Sequence, residues 1–244
     1  MTAGRAGREE PGQRSSSWGL GDAAAGIGLA LFVPSLVVVV ALKLAGVSSD
    51  DTDTIALWAV ALLQVPLWVV LGGVPWWVAR HKGSGSLRTE FGFTARPRDV
   101  VIGLAAGFGS QLVLAVVLIP VYELLDINRN EVGKTAQTLA DRAHDPLGYI
   151  SLFIVAVLGA AVFEELFYRG LVLGALRKRW GDWISIVVSS VIFGVMHFQP
   201  VDTIALTLFG VVCAWLTVRY GRLGPSICAH FAFNLTAFVA LLRH

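Results

Sequence analysis

The sequence predicts an all-α, polytopic integral membrane protein of about seven transmembrane helices, with a polar cavity among the last four. Three observations carry this. First, 55% of the 244 residues are hydrophobic and only 15% are charged, whereas a soluble domain is about a quarter charged. Second, the charges cluster in short segments separated by apolar stretches long enough to span a bilayer core of roughly 30 Å. Third, the ionisable residues that do fall inside apolar stretches are concentrated in the second half of the chain.

Residues 1–19 are rich in Gly, Arg, Ser and Glu and are expected to form a disordered tail. Seven apolar stretches follow, at about 21–45, 55–79, 100–122, 147–176, 183–199, 201–218 and 223–242. The first is longer than the roughly 7–15 residues of a signal-peptide core and has no A-x-A-like site after it, so it reads as a retained helix. Residues 20–146 thus form an N-terminal helical set and 147–244 a second one. Segment 123–146 is polar and too long for a tight turn, and its periodicity is too weak to assign a helix.

Basic residues in the connections set the orientation. Arg5, Arg8 and Arg14 lie in the tail, and "GVSSDDTDT" has no basic residue. The next connection holds Arg80, Lys82, Arg88, Arg96 and Arg98. Segment 123–146 mixes Arg129, Lys134 and Arg142 with five acids. "RKRW" is strongly basic, "QPVD" has no basic residue and "RYGR" has two. The alternation predicts a cytoplasmic N-terminus and an external C-terminus. With basic residues at span ends and no contiguous basic face, nucleic acid is excluded as a partner. Cys213 and Cys228 lack paired spacing and read as small buried hydrophobes.

The last four spans carry Glu164, Glu165, Arg169, His197, His230 and Asn234. Ionisable groups inside membrane helices are rare, and usually face a cavity or a partner. Glu165 and Arg169 stand four residues apart, so they share a face and can pair. Glu164 is rotated about 100° away on an α-helix. Phe193 and His197 are also four apart, as are His230 and Asn234.

Counted from span ends near 176, 184 and 225, Glu164, His197 and Asn234 lie roughly 18, 20 and 14 Å deep, and His230 about 8 Å. Singly, a buried pair serves equally well as a packing device, and a lone histidine as a satisfied core group. Tyr168, Gln199 and Asp202 read as interfacial or capping groups, and the tryptophans as aromatic belts.

"EELFYR" (164–169) fits an EExxxR motif, "FGVMH" (193–197) FxxxH, and "HFAFN" (230–234) HxxxN, with "GPSICAH" leading into the last. In this order on successive apolar helices, they resemble the CPBP family of CAAX prenyl protease and bacteriocin-processing (Abi) intramembrane endopeptidases. The resemblance covers residues 164–234. It implies a membrane endopeptidase acting on peptide or membrane-protein substrates. Glu164 and His197 would activate a water, and His230 and Asn234 would hold the oxyanion. Glu165 and Arg169 would organise the site, with Phe193 packed beside it. No cofactor is implied. The chain has about seven spans where the eukaryotic relatives have eight, and its motifs specify neither substrate nor oligomeric state.

The chemistry agrees with that reading. Peptide hydrolysis needs a base for water, and a carboxylate is a common choice. Histidine and asparagine N–H groups stabilise an oxyanion best where water is scarce. Two alternatives stay open. Two histidines and a carboxylate are a legitimate zinc set, although no HExxH pair is present. The polar layer would also suit a non-catalytic immunity, scaffold or transport protein.

Overall fold

The structure, a computed structural model, describes residues 16–128 and 131–242. None of the described residues forms a strand. A helix closes its backbone hydrogen bonds within one segment, as a chain surrounded by lipid requires. α1 (Leu20–Leu44) is apolar all round and turns Phe32, Leu36 and Leu44 outward, as a lipid-facing helix does. A short 3-10 segment, Ser49–Thr54, leads to α2 (Leu57–Leu63) and α3 (Val65–Lys82). These two form one span broken at Gln64, where Pro66 sits in the first turn of α3 and supplies no N–H.

α4 (Leu87–Phe91) is capped by Ser86 and ends at Gly92, whose φ of 64° suits a residue without Cβ. α5 (Pro97–Leu124) begins with proline, as N-terminal helix positions favour. Within the polar segment 123–146, Lys134–Ala140 forms α6, a helix that the sequence pattern was too weak to assign. α7 (Pro146–Leu152) is capped by Asp145, which accepts the Gly148 N–H at 2.6 Å. It runs into a π-helix, Phe153–Val172, then α8 (Leu173–Val195). α9 (Thr203–Tyr220) and α10 (Gly224–Leu241) complete the chain.

Among the described residues, six stretches are long and apolar enough to cross a membrane. Pro146–Val195 has 50 residues, about 75 Å if straight and more than twice the hydrocarbon core. Gly181 breaks it, with φ 73° and ψ −173°. The seven expected spans are therefore six helical stretches, one of them doubled back at a glycine.

Basic connections gather at one end. The Ser17 N–H donates to Lys82 O at 2.8 Å, and the Trp18 indole N–H donates to Glu90 at 2.6 Å. Lys178 sits 3.2 Å over the Trp18 ring. The Leu223 and Gly224 N–H groups donate to the carbonyls of Gly92 and Thr94 at 2.9 and 3.0 Å. At the other end Arg142 donates to the Ile55 carbonyl, and Gly133 N–H donates to Asp202 at 3.0 Å.

The expected tail at 1–19 is corrected in part. Residues 1–15 lie outside the described residues, but Trp18 is buried against Phe91, with ring centres 5.0 Å apart. A large aromatic with a satisfied indole N–H anchors the segment ahead of α1.

α5 packs closely against α10. A Cβ on Gly103 would lie 2.7 Å from Pro225 O, and one on Gly107 would lie 2.2 Å from Ala229 O. Backbone meets backbone there, as small residues four apart allow in membranes. Buried Asp99 takes two bonds from Arg222, at 2.8 and 2.5 Å, and accepts the Arg96 N–H at 2.8 Å. One carboxylate thus caps α5 and ties it to the turn entering α10.

Candidate active site

The π-helix carries Glu164, Glu165 and Arg169. Its i→i+5 bonding is rare and recurs at functional sites. Glu165 is fully buried; its Oε1 lies 3.3 Å from Arg169 Nη1 and 2.9 Å from His230 Nδ1. A buried carboxylate needs such partners. Arg169, equally buried, stacks 4.1 Å over the Phe193 ring and reaches Gly210 O at 3.5 Å. The expected Glu165–Arg169 pair is therefore present, and His230 is its third member.

Hydrogen bonds assign the tautomers. His197 Nδ1 is 2.8 Å from Phe193 O, and a carbonyl only accepts, so Nδ1 carries the proton. The Nδ1–H of His230 likewise donates to the Glu165 carboxylate. Both rings then turn Nε2 toward Glu164, each 3.9 Å from its Oε2. That oxygen is buried without a hydrogen-bond partner. Phe193 and Phe209 hold the His230 ring edge-on, with centres 5.9 and 5.5 Å away.

This convergence corrects the depths counted from sequence, which set the two histidines about 12 Å apart on straight helices. Both lie 3.9 Å from one oxygen. The span ends used in that count are not level. Phe91 packs on Gly170, while neighbouring Gly92 bonds Leu223 at the start of α10. The helix bearing Glu165 therefore overshoots the level at which α10 begins, before turning at Gly181. Glu164 lies 17 residues before Gly181 and His197 16 after it, which brings them opposite each other.

Asn234 is anchored by one of its two amide N–H groups. Its amide donates to Ala156 O at 2.7 Å, joining α10 to the π-helix. Tyr168, expected at an interface, is instead buried and packs edge-on to Phe193 at 5.3 Å.

A cavity of about 740 Å³ opens beside Glu164, Tyr168 and His197. Its polar wall comes from the π-helix and the turn just past α8. Its apolar wall comes from α1, α2 and α3, through residues such as Leu31, Val38, Val60 and Leu71. The nearly uncharged first half gave no sign of this role, because an apolar wall resembles any lipid-facing stretch. Asp99, Gly103 and Gly107 were also missed. "GLAAG" at 103–107 and the lone acid opening a span were the available signals.

Glu164, His197 and His230 have donor types that suit zinc. Among the described residues, however, no group of three or more His, Cys, Asp and Glu is arranged to hold a metal ion.

A sequence model of the type II CAAX prenyl endopeptidase Rce1-like family matches residues 146–236. This stretch contains all three motifs, and the resemblance read from them holds over it. A protein of Bacillus subtilis (strain 168), "Putative membrane peptidase YdiL", is 29% identical over 92 residues. The match covers 38% of this chain and 37% of that protein. No solved structure matches the chain.

Proposed function

We propose that this chain is an intramembrane endopeptidase in which Glu164 and His197 activate a water that attacks a peptide carbonyl. The observation that carries the reading is Glu164 Oε2, buried, unpartnered and 3.9 Å from two imidazole Nε2 atoms. These distances exceed a direct hydrogen bond and suit a shared water. Its oxygen bonds to the carbonyl carbon while its proton passes to Glu164. Glu164 then protonates the leaving nitrogen, the C–N bond breaks, and a carboxylate and an amine separate.

His230, when protonated, donates Nε2–H to the oxyanion, with Glu165 stabilising the imidazolium from Nδ1. Residues 147–244 supply the reacting groups and 20–146 the apolar wall. Asn234 ties α10 to the π-helix through one amide N–H and has a second N–H to offer the oxyanion. The family match over 146–236 and the peptidase-named relative support the reaction class. The test is hydrolysis of membrane peptides by purified protein in vesicles, comparing wild type with Glu164→Gln. Equal cleavage by both would remove Glu164 from the chemistry.

We assign the end where basic connections meet to the cytoplasm, as the excess of Lys and Arg in cytoplasmic loops supports. Reporter fusions at the two termini should land on opposite sides, and a shared side would overturn this orientation.

A further inference from the structure

The cavity runs from Glu164 and His197 to a slot between α1 and the α2–α3 break. α1 contributes Leu31, Pro34 and Val38; the other wall holds Val60, Leu63 and Gln64. At about 740 Å³ it falls within the range of ligand sites. Apart from Ser35 on α1, its α1 and α2–α3 walls are apolar except at the break. Pro66 has no N–H, so the regular helical ladder is interrupted at the break, and Gln64, an amide-bearing residue, lines the cavity there.

An acyl chain would have no use for an amide there. An extended peptide would, because each of its residues brings one N–H and one C=O that must be satisfied away from water. A peptide in a regular helix has its carbonyls already bonded, so a carbonyl presented to Glu164 belongs to an unwound segment.

We propose that this slot binds the substrate as an extended, apolar peptide segment whose backbone is held by the Gln64 carboxamide. The inference rests on the peptidase reading and adds to it the substrate class and a specificity residue.

The probe is a fluorescent Leu/Ala peptide of about 20 apolar residues with lysine ends, in phosphatidylcholine vesicles holding the full chain as Glu164→Gln. Saturable binding is expected. Gln64→Met keeps the volume and should weaken it about tenfold, one hydrogen bond in an apolar site. Val38→Trp should fill the slot and abolish it. Both variants should elute and melt like the parent. No saturable binding, binding indifferent to both substitutions, or equal competition by a fluorescent palmitoyl probe would each overturn the proposal. Cleavage of the same peptide by the wild type is scored separately. Binding as described without cleavage counts against the peptidase reading, whereas cleavage with unchanged binding in Gln64→Met counts against the slot.

Discussion

His230 Nδ1 lies 2.9 Å from Glu165 Oε1, the same oxygen that is 3.3 Å from Arg169 Nη1. One carboxylate therefore orients the ring of α10 and neutralises the guanidinium of the π-helix. Removing it strands both. Glu165→Ala should lower stability by about 3–5 kcal/mol, as breaking a buried pair does. The double variant Glu165→Leu with Arg169→Met should recover much of that loss, since an apolar replacement of a buried pair is often neutral. Activity should not return, because His230 has lost its orienting partner. Thermal unfolding in detergent checks both parts, and wild-type melting of Glu165→Ala would sink the assignment.

Glu164 should behave differently from its neighbour. Its Oε2 has no partner to lose, so Glu164→Gln keeps the fold. Cleavage should fall about 100-fold or more, the usual contribution of a general base. Arg169→Ala should lower both yield and activity, because it leaves Glu165 uncompensated. The contrast is read from melting curves beside peptide hydrolysis. Identical melting of the two variants would end this division of roles.

The α5–α10 contact predicts that an alanine on α5 acts on the site through the backbone. A Cβ at Gly107 lies 2.2 Å from Ala229 O, one residue from His230. Gly107→Ala should cost about 1–3 kcal/mol, as overpacking does, and reduce activity by shifting α10. Gly109→Ala meets nothing within 4 Å and should stay within about 0.5 kcal/mol of wild type. Equal effects at both positions would show that backbone approach is not the cause.

The fold class and the polar side chains that meet around Glu164 were legible because both are local. An apolar run long enough to span is visible in itself, and EELFYR, FGVMH and HFAFN each place their residues on one helix. Relations between helices were not legible. The histidine depths failed because each was counted from its own span end. Gly181 inside the basic "RKRWGD" stretch gives no hint of how far the preceding helix overshoots. Asn234 matched a motif position, yet its amide is used by Ala156, a contact no spacing reveals. Trp18 sat in a stretch polar enough to pass for a tail, and its partners, Glu90, Phe91 and Lys178, all lie more than 70 residues away.

That Trp18–Glu90 bond predicts a pH response. Burial pushes the Glu90 carboxyl up, but hydrogen bonds from Trp18 and Ser84 outweigh it and hold the group below its ordinary 4.5. A lowered folded value means the stabilisation is present above 4.5 and is lost as pH falls through the folded value. Acidification below the usual glutamate range should therefore release the 16–19 segment. Trp18 emission, isolated by comparison with Trp18→Phe, should shift to the red over that window. Glu90→Gln should show the released spectrum at neutral pH. An emission change centred above 4.5 would contradict the sign.

The last prediction concerns metal. If Glu164 and His197 activate water by themselves, purified protein should carry no stoichiometric zinc and should keep its peptidase activity under strong chelation. Depths counted along straight helices separate the histidines by about 12 Å, too far for ligands of one ion, and the structure removes that objection by bringing both to 3.9 Å from Glu164 Oε2. The His230–Glu165 bond does not discriminate either, since zinc-bound histidines also donate their second N–H to carboxylates. The metal-free expectation rests on the chemistry of the base: Glu164 Oε2 has no hydrogen-bond partner and is free to take a proton from a water. A zinc site would draw Glu164 and both Nε2 atoms inward to about 2.0–2.2 Å from the ion. Glu164 would then be a ligand, and the metal would lower the pKa of the attacking water. Elemental analysis of active protein, beside a chelator titration of cleavage, separates the two. One zinc per chain, with activity lost on its removal and restored on its return, would reassign Glu164 from base to ligand.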